Sequence, residues 1–201
     1  MNFSVDRRQV RVKEQWRYVS EALERFRRAS AEFTALVENV GDDAWEQPSP
    51  CEGWVARDVV GHLVEWVPEF FFERWPAATK PIPAVESSPL VAWRALAEAI
   101  ETALADDVVA RKVADTPMGP LTFEAAVDMI VTPDVILHGW DLARATGLDE
   151  SLIPEEVHRL LASIEPLGDA LEQSGQYGPR IAVPDGSSEQ TRLLALVGRR
   201  A

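Results

Sequence analysis

The chain has 201 residues, enough for one domain with a full hydrophobic core. Its composition, 46% hydrophobic and 26% charged, is that of a folded helical protein, and a formal charge of −13 argues against duplex nucleic acid or an anionic membrane as partner, since both need a concentrated basic face. The single cysteine excludes an internal disulfide and a cysteine-rich zinc site, and points to a reducing cytoplasm.

Residues 6 to 40 predict one long helix, with Val19, Leu23, Phe26, Phe33, Leu36 and Val40 at three- and four-residue spacings and Gly41 as its stop. Its start is basic, at Arg7, Arg8, Arg11 and Lys13, but interleaved glutamates read as a solvated face; residues 1–20 are expected to form a helical or disordered extension. The loop "GDDAWEQPSPCEGW" carries turn residues, with Trp45 and Trp54 to pin it to the body. A second helix is predicted from Trp54 to Trp75, kinked or shortened at Pro68.

The proline-rich crossing "PAATKPIPAVESSP" separates it from a third helix, Pro89 to Ala105, capped by Ser87 or Ser88 and striped by Leu90, Trp93, Leu96, Ala97 and Ile100. "VADTPMGPLT" reads as a turn or short hairpin. The Thr122 hydroxyl then starts a fourth helix that runs to Ala145 and ends at Gly147, with Pro133 expected to kink or divide it at Thr132. A fifth helix is predicted from Pro154 to Ser174, and residues 175–201 form an arm and a short helix from Ser188. Apolar runs such as "VILHGW" and "LLALVG" are too short for a membrane span or a signal peptide. The predicted fold is all-α: a single domain over 1–201, a four-helix bundle with elaborated loops and a short C-terminal cap.

The fourth helix places two polar groups where a core is expected. Val127, Val131, Asp134, Val135, His138, Leu142 and Ala145 share one face at 100° per residue. A buried carboxylate needs a partner, and an aspartate and histidine four apart can reach one metal ion. His62, at the edge of the second helix's stripe, would supply a third ligand if the two helices are neighbours. The alternative is hydrogen bonding within each helix, His138 to Asp134 and His62 to Asp58. Cys51 precedes the second helix, where the dipole could activate it, though a packed inert thiol is the plainer reading. Asp141 either holds an imidazole or pairs with Arg144, the simpler assignment; His158 lies among surface charges.

"PSPCEGWVARDVVGHL", "PDVILHGWDLARATG" and "YGPRIAVPDGSSEQTRLLALVGR", in this order, resemble the signatures of a family of bacterial metal-binding proteins related to mycothiol-dependent maleylpyruvate isomerase, within the DinB-like superfamily of four-helix bundles. The resemblance covers most of the chain from Arg25 onward. It implies a divalent metal, zinc or nickel, held by His62, Asp134 and His138, with mycothiol as a possible cofactor. Asp134 stands where the isomerase has a glutamate, and Val55 where the family often has a capping threonine. The isomerase also carries a separate C-terminal domain, whereas 54 residues follow Gly147 here.

The leading functional expectation is a metal-dependent, thiol-using transferase or isomerase acting on a small electrophile, with Trp54, Trp66 and Trp140 as walls. A hydrolase using Glu65 or Asp58 as base and a non-catalytic module with one of these as a fourth ligand are the alternatives. The partners expected are a small molecule or thiol, with no nucleic acid and no membrane; a homodimer stays open.

Overall fold

The Ser20 hydroxyl accepts the Leu23 N–H at 3.2 Å, and Glu21 and Glu24 lie in the first turn, where the helix dipole favours negative charge. Helix α1 (Glu21–Asn39) begins there in the computed structural model, which describes residues 20–77, 80–168, 171, 173, 175 and 177–201. The predicted start of this helix, and most of the proposed N-terminal extension, lie outside the described residues. Helix α2 (Ala56–Val67) follows a loop over 40–55. Val55 has no side-chain oxygen with which to cap it, so one half of the usual capping pair is missing; the Asp58 carboxylate instead accepts the Val55 N–H at 2.8 Å.

Ser88 caps α3 (Pro89–Ala105) through the Val91 N–H, and a single turn, α4 (Asp107–Ala110), leads into the hairpin of β1 (Val113–Thr116) and β2 (Gly119–Thr122). The strands pair antiparallel, Val113 opposite Thr122 and Thr116 opposite Gly119. The Thr122 hydroxyl accepts the Ala125 N–H at 3.2 Å and starts α5 (Phe123–Ala126), which continues through a π turn, Val127–Val131, into α6 (Thr132–Thr146). Gly147 closes α6 with φ 72°, a left-handed conformation that glycine adopts without strain.

Two prolines shape the helices that carry the site. Proline has no N–H to bond the carbonyl four residues earlier, and a widened turn is one way to continue without that bond. A π turn, Pro68–Phe72, therefore extends α2, and the second π turn directly precedes Thr132 and Pro133. Of the kink or division expected at Thr132, the structure shows no division: the helix runs on through the widened turn.

Helices α1, α2, α3 and α6 form the bundle: α1 and α2 each pack against α3 and α6. Phe26, Phe33, Leu63, Trp93, Leu96 and Leu142 are fully buried between them. The Phe33 and Trp93 rings lie 4.5 Å apart, and the Trp93 indole donates to Thr34 Oγ1 at 2.9 Å. Helix α7 (Pro154–Ile164) is shorter than predicted: a 3₁₀ turn, Glu165–Leu167, carries Pro166 and leads to Gly168 at φ 51°. Helix α8 (Glu189–Leu196), capped by Ser188, packs on α7 with Leu193 and Leu194 buried. The fold is the expected all-α, DinB-like bundle with one small hairpin added. Among the described residues no helix is long and apolar enough to cross a membrane.

Candidate metal centre

Helices α2 and α6 are neighbours, and this decides whether their polar residues meet. They do: the Asp134 carboxylate faces both imidazoles, with Oδ2 3.5 Å from His62 Nε2 and Oδ1 3.4 Å from His138 Nε2. The two imidazole rings stand edge to face with centroids 4.9 Å apart. A well-made N–H···O hydrogen bond is about 2.9 Å, so these separations are long for direct bonding. Ligand atoms around a tetrahedral ion with bonds of about 2.0–2.1 Å lie about 3.3 Å apart, which these separations approach. The candidate ligand atoms of all three residues lie within 4.8 Å of one another. Two imidazoles and a carboxylate are a donor set that suits zinc or nickel.

The side chains differ in access. His138 is 7% exposed, Asp134 25% and His62 32%, so the cluster starts in the core and opens toward solvent on the α2 side. Asp134, expected on the buried side of its helix, is half-buried there, in the first turn of α6.

Each inner group is held from outside. The Trp66 indole N–H donates to Asp134 Oδ2 at 3.0 Å. His138 Nδ1 lies 2.9 Å from Asp141 Oδ2, and a carboxylate only accepts, so Nδ1–H is the donor. Asp141 is wholly buried and gripped by Arg199, whose Nε and Nη2 lie 2.8 and 2.6 Å from its two oxygens. Cys51 Sγ, 3.4 Å from the same Oδ2, shares that carboxylate. The Trp54 ring lies against both imidazoles, 5.0 Å from His62 and 5.8 Å from His138.

The charges follow. Burial would push the Asp134 carboxyl up, but His138 and His62 outweigh it and hold it well below the usual carboxylate range. Burial would push the His138 imidazole down, yet the neighbouring Asp134 and Asp141 carboxylates, with Cys51, hold it well above its ordinary value. Tyr177 is half-buried, and burial, then the Asp134 charge, raises its phenol.

Several sequence expectations need correction. Asp141 does not pair with Arg144: Arg144 turns outward to Glu150, at 2.8 and 3.0 Å, while Asp141 faces inward to His138 and Arg199. Trp140 is no wall of the site. Two residues beyond His138, it points about 200° away and is buried in the core. Asp58 caps α2 rather than meeting His62, and Glu65 is exposed. His158, by contrast, is exposed among surface charges as expected and meets Glu189 at 3.0 Å. Arg199 was the group not foreseen; the available signal was its place as the last residue of the third motif, "YGPRIAVPDGSSEQTRLLALVGR".

Residues 26–143 match the family model of the mycothiol maleylpyruvate isomerase N-terminal domain. Two uncharacterized proteins, from two strains of Mycobacterium tuberculosis, are each 29% identical over 174 residues, covering 86% of this chain and 94% of theirs. No solved structure matches the chain. The family match contains α2 and α6 as far as Ala143, with all three residues of the cluster, and spans more than half of the chain. By that match, the chain belongs to the mycothiol maleylpyruvate isomerase N-terminal domain family.

Proposed function

We propose that the protein holds one divalent ion, zinc or nickel, through His62, Asp134 and His138, and uses it with a mycothiol-type thiol in a transferase or isomerase reaction on a small electrophile. The observation that carries this reading is the spacing of the three side chains: too wide for strong hydrogen bonds and close to that of ligands around one ion. When bound, the ion supplies Lewis acidity that lowers the pKa of a thiol placed beside it.

The chain's own groups do the rest. Trp66 orients the Asp134 carboxylate through its N–H, and Asp141 holds a proton on His138 Nδ1, so an ion binding at Nε2 displaces only the Nε2 proton. The Trp54 ring packs against both imidazoles. The family match favours thiol chemistry over hydrolysis. Asp58, one of the two carboxylates considered as a base, is engaged in capping α2, and Glu65 faces solvent.

Elemental analysis of protein purified without chelator or nickel affinity resin tests the ion. About one divalent ion per chain, lost in a His62→Ala, His138→Ala double variant, is the expected result. No metal after reconstitution with zinc, nickel or manganese refutes the reading. Turnover of an electrophile panel that requires added thiol then supports the transferase or isomerase, whereas turnover without thiol moves the assignment to a hydrolase.

A further inference from the structure

Three candidate ligands give a metal only part of what it needs; their orientation must also be held. Asp134 is held from α2 itself, by Trp66. His138 is held differently, through a chain of contacts that leaves the bundle: Nδ1 to Asp141 at 2.9 Å, then Asp141 to Arg199 at 2.8 and 2.6 Å. Arg199 lies well beyond residues 26–143, the stretch that matches the family model. It follows α8, whose Leu193 and Leu194 are fully buried.

We infer that the C-terminal segment completes the metal centre: Arg199 is a positioning residue that fixes His138 through Asp141. This inference rests on the reading that His138 binds an ion.

The physical case has three parts. Asp141 is entirely buried, and without a cation its charge would be strongly disfavoured; the Arg199 fork neutralises it at both oxygens. An ionised Asp141 holds the proton on His138 Nδ1, so an ion binding at Nε2 displaces only the Nε2 proton. Finally, the backbone places Arg199 with little freedom. Gly198 has φ 80°, and a Cβ built on it would come within 2.7 Å of Gly178 Cα and carbonyl carbon, so two strands of main chain cross there in direct contact. The same arrangement argues against reading Cys51, His138 and Asp141, whose ligand atoms also cluster within 4.8 Å, as a second cation site, because the Arg199 guanidinium occupies both Asp141 oxygens.

The test compares the full-length wild type with Asp141→Asn, Arg199→Gln, Arg199→Lys and Gly198→Ala. Arg192→Gln, on α8 but paired outward with Glu165, is the control. Zinc affinity is read by chelator competition, the visible spectrum of the cobalt-loaded protein reports ligand geometry, and circular dichroism checks folding. The expected result is about a 10–100-fold weaker zinc affinity in Asp141→Asn and Arg199→Gln with an altered cobalt spectrum, while stoichiometry stays at one ion. Arg199→Lys recovers part of the loss, because an ammonium supplies the charge but not the two-pronged geometry. Gly198→Ala resembles Arg199→Gln although it touches no ligand, and Arg192→Gln matches the wild type.

Wild-type affinity and spectrum in either Asp141→Asn or Arg199→Gln overturn the inference while leaving the metal reading standing. Failure of the wild type itself to bind zinc or cobalt overturns both, and is seen before any variant is compared. Should Arg199→Gln fail to fold, Arg199→Lys and the nearly isosteric Asp141→Asn decide, and wild-type affinity and spectrum in either overturn the inference.

Discussion

Trp66 and Trp140 show how differently one residue type serves this molecule. Trp66 packs beside His62 and uses its N–H on Asp134, so Trp66→Phe keeps a smaller aromatic ring there and deletes one orienting bond. We expect about a 10-fold loss of zinc affinity with little change in melting temperature, measured by chelator competition and thermal denaturation. Trp140 is buried with no partner for its indole N–H among the described residues. Trp140→Phe removes a buried unsatisfied donor but leaves a small cavity, and both terms are of order 1 kcal/mol, so the net change in stability is within about 1 kcal/mol. Zinc affinity is unchanged in that variant; a loss would contradict the placement of Trp140 outside the site.

At the level of helices, a buried ion-pair network outside the candidate centre joins α1, the second π turn and α7. Arg25, 2% exposed, bonds Glu156 Oε1 and Oε2 from Nε at 3.1 and 3.0 Å and also pairs with Asp128. Burial pushes the Glu156 carboxyl up, but Arg25 outweighs it and holds it below its ordinary value. A carboxyl depressed in the folded state binds protons more readily when unfolded. Its contribution is therefore fully present above the ordinary glutamate pKa of about 4.3, and is lost as pH falls through the lower folded value. Glu156→Gln leaves Arg25 short of a buried counter-charge and costs about 3 kcal/mol at pH 7. Urea unfolding at pH 7 and pH 3.5 checks both statements: the gap between wild type and variant narrows in acid, and a gap of constant size refutes the linkage.

For the molecule as a whole, an ion bound at the proposed site would also add stability. A ligand that binds only the folded chain adds about 2.7 kcal/mol at a free concentration 100 times its Kd. Zinc should therefore raise the melting temperature of the wild type, and should not raise that of the His62→Ala, His138→Ala variant; equal shifts in both proteins would place the ion elsewhere. The docking of α8 belongs to this scale too, since Arg199, which closes on Asp141, follows directly after it.

The sequence alone determined the bundle and the Asp134–His138 pair. Apolar residues recurred at helical spacing through α1, α3 and α6, hydroxyls stood at Ser88, Thr122 and Ser188 to start helices, and the four-residue spacing of Asp134 and His138 sufficed to put them on one face. These are local properties, set by 100° per residue and by groups within one turn. The tertiary structure alone decided which groups meet across elements. It turned His62 to Asp134 rather than Asp58, gave Asp141 to Arg199 rather than Arg144, and sent Trp140 into the core. It also let α6 pass Pro133 through a widened turn where local rules called for a kink or a division. Such outcomes depend on how helices are rotated and packed against one another and on where the C-terminal chain returns, and no spacing within a single helix encodes either.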